Sequence, residues 1–292
     1  MLTEQQQIEL KKQVDEKMKT MGTVSQEDMD KYPARREELS VPVSHGTARV
    51  ISFSHGASSP ERPLFINLHG GGFIGKHMDR DERFCRQIAC TYNGLVLDID
   101  YVLAPENPYP AAVEECWDIL QWIWFQRETL MYEPERIFLL GHSSGGNLAV
   151  GMCMKAGETG LLRPRALILD YPPLDLVKDP AEKKQSLCDM PAERARGYNR
   201  KYIDPAWAAE PYASPLYAPD HLLEKLPDTL LITAGEDRLC EEGEEFALRL
   251  ARAGVTVTSR RFTASVHGFT INRMCEWEKA MALIEGFIAH NL

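Results

Sequence analysis

Apolar residues in this chain fall into two kinds of pattern. The runs Pro63–His69, Gly94–Tyr101, Arg136–Leu140, Ala166–Tyr171, Thr229–Ala234 and Val255–Phe262 are short, do not alternate, and are bounded by Gly, Pro or Asp. Such runs predict strands buried on both faces, since an exposed face would carry polar residues at every second position. Between them, Ala112, Cys116, Ile119, Leu120 and Ile123 recur at helical spacing within Ala111–Phe125. The stretches Asn147–Lys155, Glu242–Arg252 and Glu276–His290 read the same way. Alternating strands and helices predict an α/β fold, with a mostly parallel central sheet flanked by helices on both sides.

Three regions depart from this alternation. Residues 3–20 carry Ile8, Leu10, Val14 and Met18 among polar neighbours and predict an amphipathic helix. A second short helix is expected over Ser25–Lys31, with Ser25 as cap and Glu27 and Asp28 in the first turn. Leu39–Phe53 is rich in short β-branched runs and predicts a hairpin. Residues 175–225, rich in Pro, Tyr and Ala, offer no clear strand, so an insertion lying over the sheet is expected there.

Composition narrows the classes of function. A chain of 292 residues can bury a large core, with a folded surface expected at roughly 12,500 Å². Net charge is −10 and no long basic run occurs, which argues against nucleic acid as a partner. No apolar stretch is long enough to span a bilayer, and the first residues lack an apolar signal core. The seven cysteines show no C-x-x-C spacing; free thiols in a reducing cytoplasm are expected. No His, Cys or Asp cluster has zinc spacing, so neither a metal nor an organic cofactor is expected.

Candidate chemistry begins at Gly141-His142-Ser143-Ser144-Gly145, a G-x-S-x-G placed where an apolar strand turns into a helix. A sharp turn there strains the serine backbone and lifts its oxygen above the sheet edge. Chance alone would produce the motif in a chain of this composition with a probability of roughly 6%. The competing reading, a phosphate-binding glycine loop, lacks a P-loop lysine or G-x-G-x-x-G. A second signal, His69-Gly70-Gly71-Gly72, follows the run Phe65–Leu68. Its chance probability is roughly 0.3%. Glycines let backbone amides, unobstructed by side chains, face the oxyanion of a tetrahedral intermediate.

With these residues in view, the chain resembles the hormone-sensitive-lipase-like family of α/β-hydrolases, the bacterial family IV carboxylesterases. The resemblance covers about residues 60–290. It rests on His69–Gly72, the segment Tyr101-Val102-Leu103-Ala104-Pro105-Glu106, Gly141–Gly146 with Asn147-Leu148-Ala149, Ser214-Pro215-Leu216, and the segments around Asp237 and His267. Two departures stand out: Val102 where the family usually has Arg, and His142-Ser143-Ser144 where it has Asp-Ser-Ala. The resemblance implies an oxyanion hole from the amides of Gly71, Gly72 and Ser144.

A serine hydroxyl needs a base, and the base needs a carboxylate to hold its tautomer. In α/β-hydrolases the chain order is serine, acid, histidine. His221 precedes the expected acid and His290 sits near the end of a helix, whereas His267 follows a strand and precedes Gly268-Phe269, as in the family. Asp237 ends the strand Leu230–Ala234 and matches the family's acid. Glu236 beside it is a local competitor, and a plain turn role for Asp237 stays open.

The resemblance places a helical cap over residues 1–40 and 175–225, with the hydrolase core in 41–174 and 226–292. Tyr198, Tyr202 and Trp207 are candidates for lining the substrate pocket, although packing the cap onto the sheet would explain each equally well. A small-molecule ester of a short acyl chain is the substrate implied, with no membrane or nucleic-acid partner and a homodimer left open. The competing functions are a non-catalytic small-molecule binder on the same fold, and an amidase or peptidase.

Overall fold

The computed structural model describes residues 2–20 and 24–292 of the chain; Met1 and residues 21–23 of the expected cap segment lie outside the described residues. In chain order the elements are α1 (Glu4–Thr20), α2 (Gln26–Lys31), β1 (Arg35–Val43), β2 (Gly46–Ser54), β3 (Leu64–Leu68), α3 (Asp79–Tyr92), β4 (Leu95–Asp100), α4 (Ala111–Phe125), α5 (Arg127–Leu130), β5 (Ile137–His142), α6 (Ser144–Thr159), β6 (Ala166–Asp170), α7 (Ala192–Tyr202), α8 (Asp220–Leu223), β7 (Asp228–Ala234), α9 (Cys240–Arg252), β8 (Val257–Phe262) and α10 (Trp277–Asn291). Short 3-10 turns at Pro205–Trp207 and Pro215–Tyr217 fall between α7 and α8.

The strands form one eight-stranded sheet in the order β1-β2-β4-β3-β5-β6-β7-β8. The β1–β2 hairpin joins it antiparallel, and every pairing from β4 through β8 is parallel. Alternate residues of the inner strands feed two cores. Leu64, Ile66, Leu68, Ile137 and Leu139 face α4 and α6, while Phe65, Phe138, Leu140 and Ile168 face α3 and α10. Phe65 and Phe138 stack across neighbouring strands at 5.1 Å. Each such side chain contributes about 1.5–3 kcal/mol on leaving water, which is why the inner strands read as unbroken apolar runs. The exposed surface of 12,793 Å² agrees with the expectation from chain length.

Three elements differ from the sequence pattern. Residues 79–92, which suggest no element, form α3: its charged first turn masks a stripe of Phe84, Cys85, Ile88 and Ala89 against the sheet. Val257–Phe262 is a strand but not a doubly buried one. It is an edge strand paired only with β7, with Thr258, Ser259, Arg260 and Arg261 exposed and only Phe262 buried. Its polar side chains suit an edge, where they discourage further pairing. Helix α1 forms as expected, yet Ile8 and Met18 stay exposed, so its apolar stripe is only partly used.

Residues 175–225 contain no strand and are anchored by buried polar bonds. Lys183 Nζ donates to Glu242 Oε2 (2.5 Å), and Glu242 Oε1 accepts from the N–H of Leu174 (2.8 Å). Burial pushes the Glu242 carboxyl up to about 7 despite its lysine partner. Among the described residues no helix is long and apolar enough to cross a membrane, and no cysteine is in a disulfide.

Candidate active site

Ser143 sits between β5 and α6 with φ 51° and ψ −123°, a left-handed conformation rare for a residue with a Cβ. The turn is tight because Gly145 lies against β3: a Cβ there would run into the carbonyls of Leu68 and His69. The strain is held by the Ser143 N–H donating to Asp170 O (2.9 Å) and by Gly146 N–H donating to Ser143 O (2.8 Å).

Ser143 Oγ lies 2.8 Å from His267 Nε2, although 124 residues separate the two in sequence. On the other side of the ring, His267 Nδ1 lies 2.7 Å from Asp237 Oδ2. A carboxylate only accepts, so Nδ1 carries the proton and Nε2 is left as the acceptor for the serine hydroxyl. Asp237 is 1% exposed, and its Oδ1 accepts the N–H of Leu239 (3.0 Å). Glu236 is turned away, accepting from Ser186 Oγ (2.7 Å). Burial pulls the pKa of His267 down, but the charge and hydrogen bond of Asp237, then the charges of Asp189 and Asp170, outweigh it and leave the pKa raised.

The loop 69–75 faces Ser143 from the end of β3. Gly72 has φ 61°, and a Cβ on it would meet the Tyr198 ring at 3.1 Å, so only glycine fits. Among the described residues, the backbone N–H groups of Gly71, Gly72 and Ser144 donate no hydrogen bond within the protein. Tyr101 fixes the loop: its hydroxyl donates to His69 O (2.8 Å) and its ring stacks on His69 at 4.4 Å. At the Val102 departure, the backbone N–H donates to Glu115 Oε2 (2.6 Å), and His45 Nε2 lies 3.2 Å from Glu115 Oε1.

A cavity of about 440 Å³ opens above Ser143. Of the aromatic candidates, Tyr198 of α7 lines it. Tyr202, one helical turn on, is buried behind the cavity wall, its ring stacked on Phe73 at 3.6 Å. Trp207 is 49% exposed, outside the lining, with Tyr109 as its ring neighbour at 6.4 Å. Met18 of α1 and Leu176 and Met190 of the segment over the sheet also border the cavity.

Several polar residues here carry no motif in the sequence. Asp170, at the end of β6, is buried and accepts from His142 Nδ1 (2.9 Å), making a second His–Asp pair directly behind the serine. Tyr171 follows it with φ 43° and stands edge-on to His267 at 4.9 Å. Asp189 lies in the cavity wall, bonded to Arg238 at 2.8 Å. A charge ending an apolar strand beside the serine's own strand was a usable signal for Asp170; for Asp189 the sequence offers none.

The sheet and the Ser143–His267–Asp237 alignment define a hydrolase of the α/β type. Comparison with known proteins agrees: the family described as having the alpha/beta hydrolase fold matches residues 65–271. Esterase LipI of Mycobacterium tuberculosis is 30% identical over 212 residues, 72% of this chain and 66% of that protein. The Arylesterase of Saccharolobus solfataricus is 29% identical over 209 residues, 70% of this chain and 68% of that protein. A solved hyperthermophilic esterase from the archaeon Pyrobaculum calidifontis superposes with a TM-score of 0.80 at 28% identity, covering 98% of this chain and 90% of that one. The matched segments thus span about two thirds of these curated relatives. The chain belongs to the α/β-hydrolase family, in its hormone-sensitive-lipase-like branch, and is a carboxylic ester hydrolase.

Proposed function

We propose that this protein is a serine carboxylesterase acting on small esters of short acyl chains, with Ser143 as nucleophile, His267 as base and Asp237 as acid. The observation that carries the reading is the unbroken alignment from Asp237 Oδ2 through His267 to Ser143 Oγ, with contacts of 2.7 and 2.8 Å. Among the described residues, the amides of Gly71, Gly72 and Ser144 have no partner of their own.

The chemistry follows from the geometry. As Ser143 Oγ attacks the ester carbon, His267 Nε2 takes its proton, and the Asp237 charge stabilises the imidazolium that forms. The carbonyl oxygen becomes an oxyanion and accepts from the N–H groups of Gly71, Gly72 and Ser144, each worth about 10²–10³ in rate. Protonated His267 then gives its proton to the departing alkoxide, leaving an acyl-serine. Water, deprotonated by the same nitrogen, attacks that ester and releases the acid. No step draws on a metal, an organic cofactor, nucleic acid or membrane.

Helices α1 and α2 and residues 175–225 act as a cap over the core; the expected boundary at residue 40 falls inside β1 (Arg35–Val43), which belongs to the sheet. Supporting this are Met18, Leu176, Met190 and Tyr198, which border the cavity from those segments. Tyr202 and Trp207 then brace the cap rather than touch substrate. The seven free thiols support a cytoplasmic location. The test is hydrolysis of p-nitrophenyl butyrate by wild type and Ser143→Ala, with labelling by a serine-reactive phosphonate. Wild type should turn over and be labelled at Ser143. If Ser143→Ala, folded by circular dichroism, keeps a tenth of the wild-type kcat, the serine is not the nucleophile.

A further inference from the structure

Charged side chains around the cavity are unevenly matched. Asp237 is bound to His267, and Asp189 to Arg238. Arg238 is further occupied by the carbonyls of Pro180 and Met190. Arg194 is exposed at the rim, where its Nε donates to the Tyr198 hydroxyl (3.2 Å). Arg80 is different: it is half-buried in the wall, near the start of α3.

Among the described residues, the one hydrogen bond Arg80 makes is long, from Nη1 to the amide oxygen of Asn272 (3.3 Å). Among the described residues its buried Nε has no partner, and no carboxylate lies at ion-pair distance. Behind it, Arg83 donates to the carbonyl of Ile271 (2.9 Å), and only Arg273 has a carboxylate, Asp28 at 2.6 Å. Asp81 is the adjacent acid, but it is 1% exposed and accepts the N–H of Met78 (3.0 Å). Burial, then the charge of Asp98, push its carboxyl toward the neutral form. In a protein of net charge −10, this wall holds positive charge that the protein itself does not satisfy.

The partner of Arg80 extends the site toward the reacting atoms. Asn272 presents its amide nitrogen over Gly268, the residue after His267, where a Cβ would lie 2.9 Å from it. Guanidinium and amide donors thus flank the same loop that carries the base. A planar guanidinium fork matches a carboxylate better than any other common group.

We propose that Arg80 and Asn272 form a subsite for a carboxylate carried by the substrate, so that the favoured ester bears an anionic group on its acyl or its alcohol half. This inference rests on the esterase reading of Ser143 and names the class of ester that reading leaves open.

Two matched substrate pairs test it. One pair is 4-carboxyphenyl butyrate against 4-(methoxycarbonyl)phenyl butyrate, with the charge on the alcohol. The other is p-nitrophenyl hemiglutarate against p-nitrophenyl pentanoate, with the charge on the acyl part. The readout is the ratio of kcat/KM within each pair, after subtracting spontaneous hydrolysis, so that any general loss in a variant cancels. In at least one pair the ratio should fall roughly tenfold in Arg80→Met, less in Arg80→Lys, and also with added salt in the wild type. The responding pair identifies the half that carries the charge. A ratio unmoved by Arg80→Met in both pairs overturns the subsite. Failure to hydrolyse the neutral esters at all would instead reject the esterase reading. Calorimetric binding of glutarate to Ser143→Ala, with and without Arg80→Met, then decides the subsite without turnover: binding lost with Arg80 supports it, and equal or absent binding overturns it.

Discussion

Asp189 Oδ2 accepts hydrogen bonds from both the backbone N–H (3.1 Å) and the Nε (2.8 Å) of Arg238, the residue directly after Asp237. The segment lying over the sheet is thereby tied to the strand end that carries the candidate acid. Asp189 is itself buried, which raises its pKa, and the neighbouring Asp237 charge raises it further. Its own charge in turn helps hold the proton on His267.

This relationship sets the pH dependence. Only neutral His267 accepts the serine proton, so kcat/KM should climb with pH on a limb centred above the ordinary histidine value of 6.5. Asp189→Asn removes one negative charge facing the ring, and the limb should move to lower pH. A pH profile on p-nitrophenyl butyrate measures both. A limb that stays put or rises in the variant would sink the coupling.

Replacing the acid should separate it from its neighbour. Asp237→Asn keeps the shape but no longer fixes the His267 tautomer, so kcat should drop on the order of 10⁴. Glu236→Gln, whose side chain faces Ser186 rather than the ring, should change kcat less than about tenfold. Reversal of these two outcomes would move the acid role to Glu236.

Gly145→Ala should fail at the level of the fold. Its methyl group would collide with the backbone of β3 rather than with a movable side chain, and backbone cannot step aside. A stability loss of roughly 3 kcal/mol or more is expected from denaturant titration. A variant as stable as wild type would show that the turn can open.

Acyl-chain preference follows from the walls of the cavity. Each methylene that fits adds about 0.8 kcal/mol of transfer free energy, while one that does not fit pulls the ester from attack geometry. Rates on p-nitrophenyl esters should peak at roughly two to six acyl carbons and decline beyond, with no jump at the solubility limit. A climb through palmitate would mean an open, lipase-like site.

Much of this site is legible in the sequence because its demands are local. A serine on a strained strand–helix turn needs Gly141 and Gly145, and free amides need Gly71 and Gly72, so the motifs survive as words. Asp237 and His267 follow strands in the expected order. Asp189 and Arg80 are not legible, since each acts only through partners that folding brings near, and Asp170 shows only as a charge at the end of an apolar strand. The same holds for β8: its run of residues resembles the other strands in length, but only the sheet order reveals that it stands at the edge, which explains its charges.

That edge position has a temporal consequence. The glycine loop leaves β3 and the serine leaves β5, both inside the sheet, whereas His267 follows β8, which the sheet holds only through β7. A nascent or refolding chain that has assembled as far as β7 holds a shaped nucleophile with nothing to deprotonate it. It is therefore harmless to bystander esters until β8 docks. Recovery of turnover therefore reports the docking of β8, and it should not precede the return of helix and sheet signal in the same sample.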